Sequence, residues 1–501
     1  MKARNDSQSP TQYKRWSAVT LALLALLLGF CISLTYVFDP FFQYHAPFPG
    51  ISYQMNNQLY HNPGIVKHFS YDALLVGSSM VEGFETSWFE ELSPQKVAKV
   101  PSSGASMLDM RLLIELALRE NSALRTVYWG FDSFALFTKG ADELKQPFQA
   151  YLYDNNPFND APYLFNKTVL FQEVIPSWQR TRHAVPSTTF DEYTNWNLTS
   201  TFGLHTALDW YQFPAAPVDF MQEADTPNPC LETARQNLEQ NVLPLIEANP
   251  NIDFVIFDPP YSVLYWYDMM AEGQMGNMQE AWHYTTERLL SYSNVKYHIF
   301  NEEEILTNLY HYRDYIHYTS NVSKYIVQSL FTDRHLITHE NYRAILSHMD
   351  DIPRRFDYSI FRKDTYPLFQ PSSLKDYLPL LHDDRYVVFI AWRVTSPEQV
   401  ASAAAELAEA FGLSPDATKG YVAVVSPKNV YLQHSSDDDI LETFLLNGHT
   451  FRLHSNAVAA TASISSEGLL PEPIQYTPQA SGLQLVIFDM EYGRVVDNRI
   501  F

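Results

Sequence analysis

The sequence predicts a mixed α/β protein: an N-terminal transmembrane helix, an α/β domain on a mostly parallel sheet, and a smaller C-terminal α/β domain. Three observations predict it. One long apolar run precedes everything else, short apolar strands alternate with helices from Tyr71, and a second strand–helix–strand pattern starts near Arg385. At 501 residues the chain exceeds one ordinary domain, and 46% hydrophobic residues, with 32 Phe and 32 Tyr, can fill sizeable cores. The net charge of −23 argues against nucleic acid, whose phosphates need concentrated Lys and Arg. An anionic polymer held in a local basic groove stays open.

The apolar run is Trp16 to Val37, 22 residues without a charge. As a helix it spans roughly 33 Å, about the thickness of a bilayer's hydrocarbon core. Lys2, Arg4, Lys14 and Arg15 precede it against a lone Asp6. By the positive-inside tendency, residues 1–15 form a cytoplasmic tail, 16–38 the anchor, and the bulk of the chain is extracellular. A cleaved signal peptide is the rival reading, and a buried core helix another. Against the former, the run is long for a signal sequence, and Thr35-Tyr36-Val37-Phe38 offers no small-x-small cleavage site.

Residues 39–70, rich in aromatics, Asn and Pro, read as an irregular juxtamembrane collar. Ala73–Val76, Val97–Val100, Thr126–Gly130, Phe254–Phe257 and Val295–Phe300 are strand candidates. Helices are expected from Thr86, through Leu108, Leu112, Leu113, Leu116 and Ala117, and from about Met278 to Tyr292. Residues 140–250 form an insertion dense in Tyr, Trp, Asn and Pro. Residues 333–384, with Pro353, Pro367 and Pro371, read as a connector. Then come a strand Tyr386–Trp392, a helix capped by Ser396 and stopped at Gly412, and strands Tyr421–Val425, Val430–Leu432 and Leu483–Phe488.

The two cysteines, Cys31 in the membrane span and Cys230 in a Pro-flanked loop, are not expected to pair. His283, His298 and His311 lack the close pairing of a metal site and read as surface or packed histidines, so no metal or cofactor is expected. Asp437-Asp438-Asp439 has no Gly-centred calcium loop after it and reads as a solvated turn.

Chemistry concentrates in two places. The first strand runs into Gly77-Ser78-Ser79-Met80, where a serine at a strand-to-helix turn is held rigidly near backbone amides able to stabilise an oxyanion. Asp314-Tyr315-Ile316-His317 lies before the last helix of the same region. There a carboxylate three residues ahead of an imidazole can hold Nδ1–H and leave Nε2 to take a proton from serine.

These segments resemble the SGNH (GDSL-type) hydrolase superfamily over about 71–332. Gly77-Ser78-Ser79-Met80 is similar to its first block, with Ser79 at the nucleophile position and Ser78 in place of Asp. Ser103-Gly104-Ala105 resembles the second block and Gly130-Phe131-Asp132 the third, with Asp132 where Asn is expected; Asp314 and His317 match the last. The resemblance implies a three-layer α/β/α domain, catalysis by Ser79, His317 and Asp314, and an oxyanion hole from the amides of Ser79 and Gly104. Asp132 departs from the pattern, because an anionic carboxylate would repel an oxyanion. Asp258-Pro259-Pro260-Tyr261-Ser262, Tyr151-Leu152-Tyr153-Asp154 and the anchor resemble bacterial cell-envelope members, such as esterases of D-alanyl-lipoteichoic acid biosynthesis. The implied partner is a cell-envelope glycan or teichoic-acid-like polymer.

Residues 385–501 resemble the interleukin-like EMT inducer (ILEI) domain. The carriers are the Tyr386–Trp392 strand, Gly420–Val425, Gly482–Asp489 and Val495-Val496-Asp497. That resemblance implies carbohydrate or protein binding. Two functions follow: an exported serine esterase or acyltransferase on an envelope glycan, or a non-catalytic scaffold that binds glycan and keeps the hydrolase fold.

Overall fold

The computed structural model describes residues 10–145, 148–214, 223–393, 397–416, 418–457 and 460–501. Lys2, Arg4, Asp6 and the expected cap Ser396 lie outside the described residues. The chain divides into two compact units. The first comprises Met1–Trp196, Thr233–Phe257 and Tyr292–Lys296; the second comprises Asn197–Glu232, Asp258–Ser291 and Tyr297–Phe501.

The first helix, α1 (Pro10–Phe38), contains a stretch, Tyr13–Phe38, long and apolar enough to cross a membrane, with mean hydropathy 2.4. Leu21, Leu26 and Phe30 along it are exposed, whereas Thr35 near its end is buried. The helix stops at Asp39, whose positive φ of 35° lets the chain turn back. The buried Asp39 carboxylate accepts from the amides of Gln43 (2.9 Å), Tyr44 (2.7 Å) and His45 (3.1 Å) and from the Tyr163 hydroxyl (2.7 Å). Burial raises its pKa against the pull of these donors.

The collar is not wholly irregular: it contains α2 (Gln58–His68), which buries His61 to Val66. Pro63 and Gly64 disguise that helix in the sequence. A Cβ on Gly64 would meet the Phe41 carbonyl oxygen at 2.0 Å, so close backbone approach requires glycine there.

The parallel sheet is built from β1 (Ala73–Gly77), β2 (Val97–Pro101), β3 (Thr126–Gly130), β4 (Asp253–Asp258) and β5 (Val295–Ile299), in the order β2-β1-β3-β4-β5. The pairings of β1 with β2 and β3, and of β3 with β4, are parallel. Every residue of β1, β2 and β3 is buried, which is why these strands read as unbroken apolar runs. Two helices follow the first strands: α3 (Thr86–Leu92) and α4 (Met107–Glu120). The latter opens with a capping box in which Ser106 and Asp109 satisfy each other's amides.

The second unit contains the C-terminal strands. They are β6 (Tyr386–Arg393), β7 (Gly420–Ser426), β8 (Asn429–Ser436), β9 (Ile440–Leu446), β10 (His449–Asn456), β11 (Thr461–Glu467), β12 (Ile474–Gln475), β13 (Gly482–Asp489) and β14 (Arg494–Ile500). They make one sheet ordered β14-β13-β6-β7-β8 and another ordered β12-β11-β10-β9, with antiparallel pairings. One helix, Pro397–Phe411, accompanies them and ends before Gly412 at φ +67°. This region is therefore richer in strands than expected.

Two further expectations change. The 333–384 stretch contains the helix Tyr342–Arg355, which buries Tyr342, Leu346, Met349 and Ile352 on one face. Cys230 sits at the start of the helix Pro229–Asn237 rather than in a loop, and both cysteines are free. Within this unit, Tyr310 donates to Asn498 Oδ1 at 2.9 Å and Asn321 to the Glu472 carbonyl at 2.6 Å, tying residues 297–332 to the C-terminal strands.

Candidate active site

In the first unit, the C-terminal ends of β1, β2 and β3 bring three of the expected segments together. Gly77 is paired with Pro101, and the Ser102 amide donates to the Gly77 carbonyl at 2.9 Å. A Cβ on Gly77 would lie 2.8 Å from Val81 and 3.3 Å from the Gly130 carbonyl, so only glycine lets the turn after β1 pack against the end of β3.

Ser78 and Ser79 have different surroundings. Ser78 is buried, donates its hydroxyl to Asp132 Oδ2 at 2.5 Å, and accepts from the Met80 amide at 3.2 Å. It thereby caps the short 3-10 turn Ser79–Val81. Ser79 is half-buried, and its carbonyl accepts from the Trp196 indole at 3.3 Å. The α-helix expected from Thr86 begins there, and the amides nearest Ser79 belong to the intervening 3-10 turn.

Gly104 is exposed at φ +62°, and no acceptor among the described residues takes its N–H. Its loop is held by a polar triangle. The Ser103 amide donates to Gln58 Oε1 (2.9 Å), Gln58 Nε2 donates to Glu82 Oε1 (2.7 Å), and the Ser103 hydroxyl donates to the same Glu82 oxygen. Asp132 accepts from Ser78 and, through Oδ1, from the Phe134 amide at 3.0 Å, capping the helix α5 (Ser133–Phe137). Asp132 thus acts as an acceptor that fixes Ser78 and a helix start. That is a different task from donating to an oxyanion.

The second unit holds the other expected pair. Asp314 Oδ2 lies 2.8 Å from His317 Nδ1, while Oδ1 accepts from the amides of Ile316 (2.9 Å) and His317 (2.8 Å). Burial pushes the Asp314 pKa up, but bonding to His317 and these amides leaves it below the usual carboxylate value. An ionised Asp314 fixes the tautomer with the proton on Nδ1, which puts the lone pair on Nε2. Of the unused histidines, His298 and His311 are buried, and burial drives His311 down to about 3. Among the described residues no His, Cys, Asp or Glu form a metal-binding group of three.

Three features of this site escaped sequence reasoning. Lys99, in the middle of β2, is completely buried and donates to the carbonyls of Glu82 (3.0 Å) and Phe84 (2.8 Å), clamping the chain just after the Ser79 turn. Burial lowers its pKa to about 7, against the attraction of Asp191, Glu82 and Glu85. A lone lysine inside Val97–Val100 was the available signal. The second is the Gln58–Glu82–Ser103 triangle, for which residues so far apart gave no signal. The third is a cleft of about 580 Å³, bordered by Asn56, Gln58, Tyr60, Glu82, Ser102 and Phe148, large enough for a small ligand.

No family model, no curated protein and no solved structure matches the chain.

Proposed function

We propose that this chain is a membrane-anchored, extracytoplasmic serine esterase or acyltransferase of SGNH type, acting on an acylated cell-envelope glycan or polymer. The observation that carries the reading is the contrast between the two serines. Ser78 is buried and committed to Asp132, while Ser79 stands half-buried just after the end of β1 and the exposed Gly104 follows the end of β2. In this reading Ser79 Oγ attacks the acyl carbonyl and passes its proton to His317 Nε2. Asp314 orients the imidazole and stabilises its charged form. The amides of Ser79 and Gly104 receive the oxyanion, each donor contributing about 3 kcal/mol in the transition state. Collapse releases the sugar alkoxide, which takes the proton from His317 and leaves an acyl-Ser79. Water then completes hydrolysis, or a second sugar hydroxyl completes transfer.

The cleft beside Ser102 and Glu82 suits the substrate. Amides from Asn56 and Gln58 can meet hydroxyls, and the rings of Tyr60 and Phe148 can stack on sugar faces. Lys14 and Arg15, in α1 just ahead of its apolar run, support a cytoplasmic N-terminus, and the ILEI-like region 385–501 supplies a second carbohydrate-binding module.

The test is hydrolysis of p-nitrophenyl acetate by the full chain in detergent, compared with Ser79→Ala and Ser78→Ala. Loss in Ser79→Ala with retention in Ser78→Ala is the expected pattern. The second reading, a glycan-binding scaffold, is favoured by the carboxylate of Asp132 at a position where the superfamily has a donor. It wins if the wild type hydrolyses no activated ester yet binds envelope polysaccharide.

A further inference from the structure

The segment Val169–Arg182 runs as a π-helical turn, Val169–Val174, continued by an α-helix, Ile175–Arg182. One face is packed: Val169 and Val174 join Phe41, Tyr151, Leu152 and Tyr163 in a core cluster against which Leu34 and Phe38 of α1 also pack. The Thr35 hydroxyl donates to the Leu164 carbonyl at 3.4 Å just ahead of this segment. A different face is bare. Phe171 is 65% exposed, Ile175 40% and Trp178 48%, at the i, i+4, i+7 spacing of a helix stripe, and exposed Phe165 lies just before them. Exposed Gln172 and Gln179, each one residue past a stripe residue, mark its polar border, and exposed Lys167 and Arg182 flank the stripe. The Arg182 guanidinium lies 5.7 Å from the Trp178 ring centre.

We propose that this helix lies in the membrane interface, with Phe171, Ile175 and Trp178 immersed among lipid headgroups and upper acyl chains. The proposal rests on α1 spanning the membrane. Its packed face meets α1 at Leu34 to Phe38, the last turn of the apolar run, where a bilayer crossed by α1 has its boundary. An apolar stripe held at that level is covered by lipid without any further partner. Trp beside Arg is the composition that interfaces favour, and Lys167 and Arg182 can meet anionic headgroups. A second copy of the chain is the poorer occupant, because a few side chains fall well short of the ~800 Å² per partner of a standard interface. The helix then acts as a second foothold that fixes the first unit at the membrane surface.

The experiment uses the full chain carrying Cys31→Ser and Cys230→Ser, with a single new cysteine from Phe171→Cys, Trp178→Cys, Gln172→Cys or Leu24→Cys. Each is labelled with an NBD fluorophore and reconstituted in nanodiscs of phosphatidylcholine and phosphatidylglycerol, with and without doxyl-labelled lipid. The expected result is blue-shifted emission that loses most of its intensity to doxyl lipid at positions 171, 178 and 24, and little change at 172. Quenching at 24 alone, with 171 and 178 as water-exposed as 172, overturns the proposal while the anchor stands. No quenching at any position overturns both. Labels at 171 and 178 that are shielded from water yet unquenched place protein on that face and also overturn it.

Discussion

The parallel strands β1, β2 and β3 of the first unit and the antiparallel sheets of the second differ in what they leave at the surface. In β1, β2 and β3 every side chain is buried, so chemistry is left to the strand ends, which half-buried Ser79, exposed Gly104 and buried Asp132 follow. In the C-terminal strands β6 and β7 are buried, but β8 and β9 are largely or alternately open. On β9, Leu441, Thr443 and Leu445 share an exposed face, while Phe444 turns inward to pack near Phe389 and Tyr431. A doubly covered sheet concentrates function at its edge, and a half-covered sheet offers a broad surface for binding. In the proposed reading the nucleophile and the oxyanion amides lie at the first unit's strand ends, Asp314 and His317 lie in the second unit, and recognition falls to the C-terminal strands.

The largest effect that can break this division concerns Asp314. Asp314→Asn removes the charge that holds His317 as the Nδ1–H tautomer, and kcat for activated esters should fall by about 10³- to 10⁴-fold. Circular dichroism and melting temperature serve as the control for folding. A loss below tenfold would leave Asp314 and His317 as an ordinary turn.

Lys99 gives the next effect, on stability. Its folded pKa of about 7 lies below that of the unfolded chain, so between about 7 and the ordinary lysine value the unfolded chain binds more protons. Stability therefore rises with pH in that window, by about 2 kcal/mol between pH 7 and 9 relative to Lys99→Met. Denaturant unfolding of the two proteins at both pH values measures it, and parallel pH profiles would refute the buried, depressed state.

The smallest effect on folding is expected at the open strands. Replacing Leu441 and Leu445 by Ser should change stability by less than about 0.5 kcal/mol each, since both side chains are exposed. Co-sedimentation with insoluble envelope polysaccharide should nevertheless weaken, while ester hydrolysis is unchanged. Retained co-sedimentation would move the binding surface elsewhere.

The same contrast explains what the sequence revealed. Ala73–Val76, Thr126–Gly130 and Tyr386–Trp392 were legible because fully buried strands are continuous apolar runs. Strands β9, β10 and β11 were not, since polar residues such as Glu442, Arg452, Ser463 and Ser465 break up their apolar pattern. The helix Tyr342–Arg355 was hidden by Pro353 and its charges, although Tyr342, Leu346, Met349 and Ile352 carry a helical period. Ser79 and the Asp314–His317 pair were found as short motifs at element ends. The support around Ser79 was invisible, because Gln58, Glu82 and Ser103 meet only after folding.

Ser79 as the nucleophile is tested most directly by peptide mass spectrometry of the full-length protein after treatment with a fluorophosphonate. One phosphonate should be found on Ser79, and it should disappear when His317→Ala removes the base. A phosphonate on Ser78, on another residue, or on none at all would contradict the assignment.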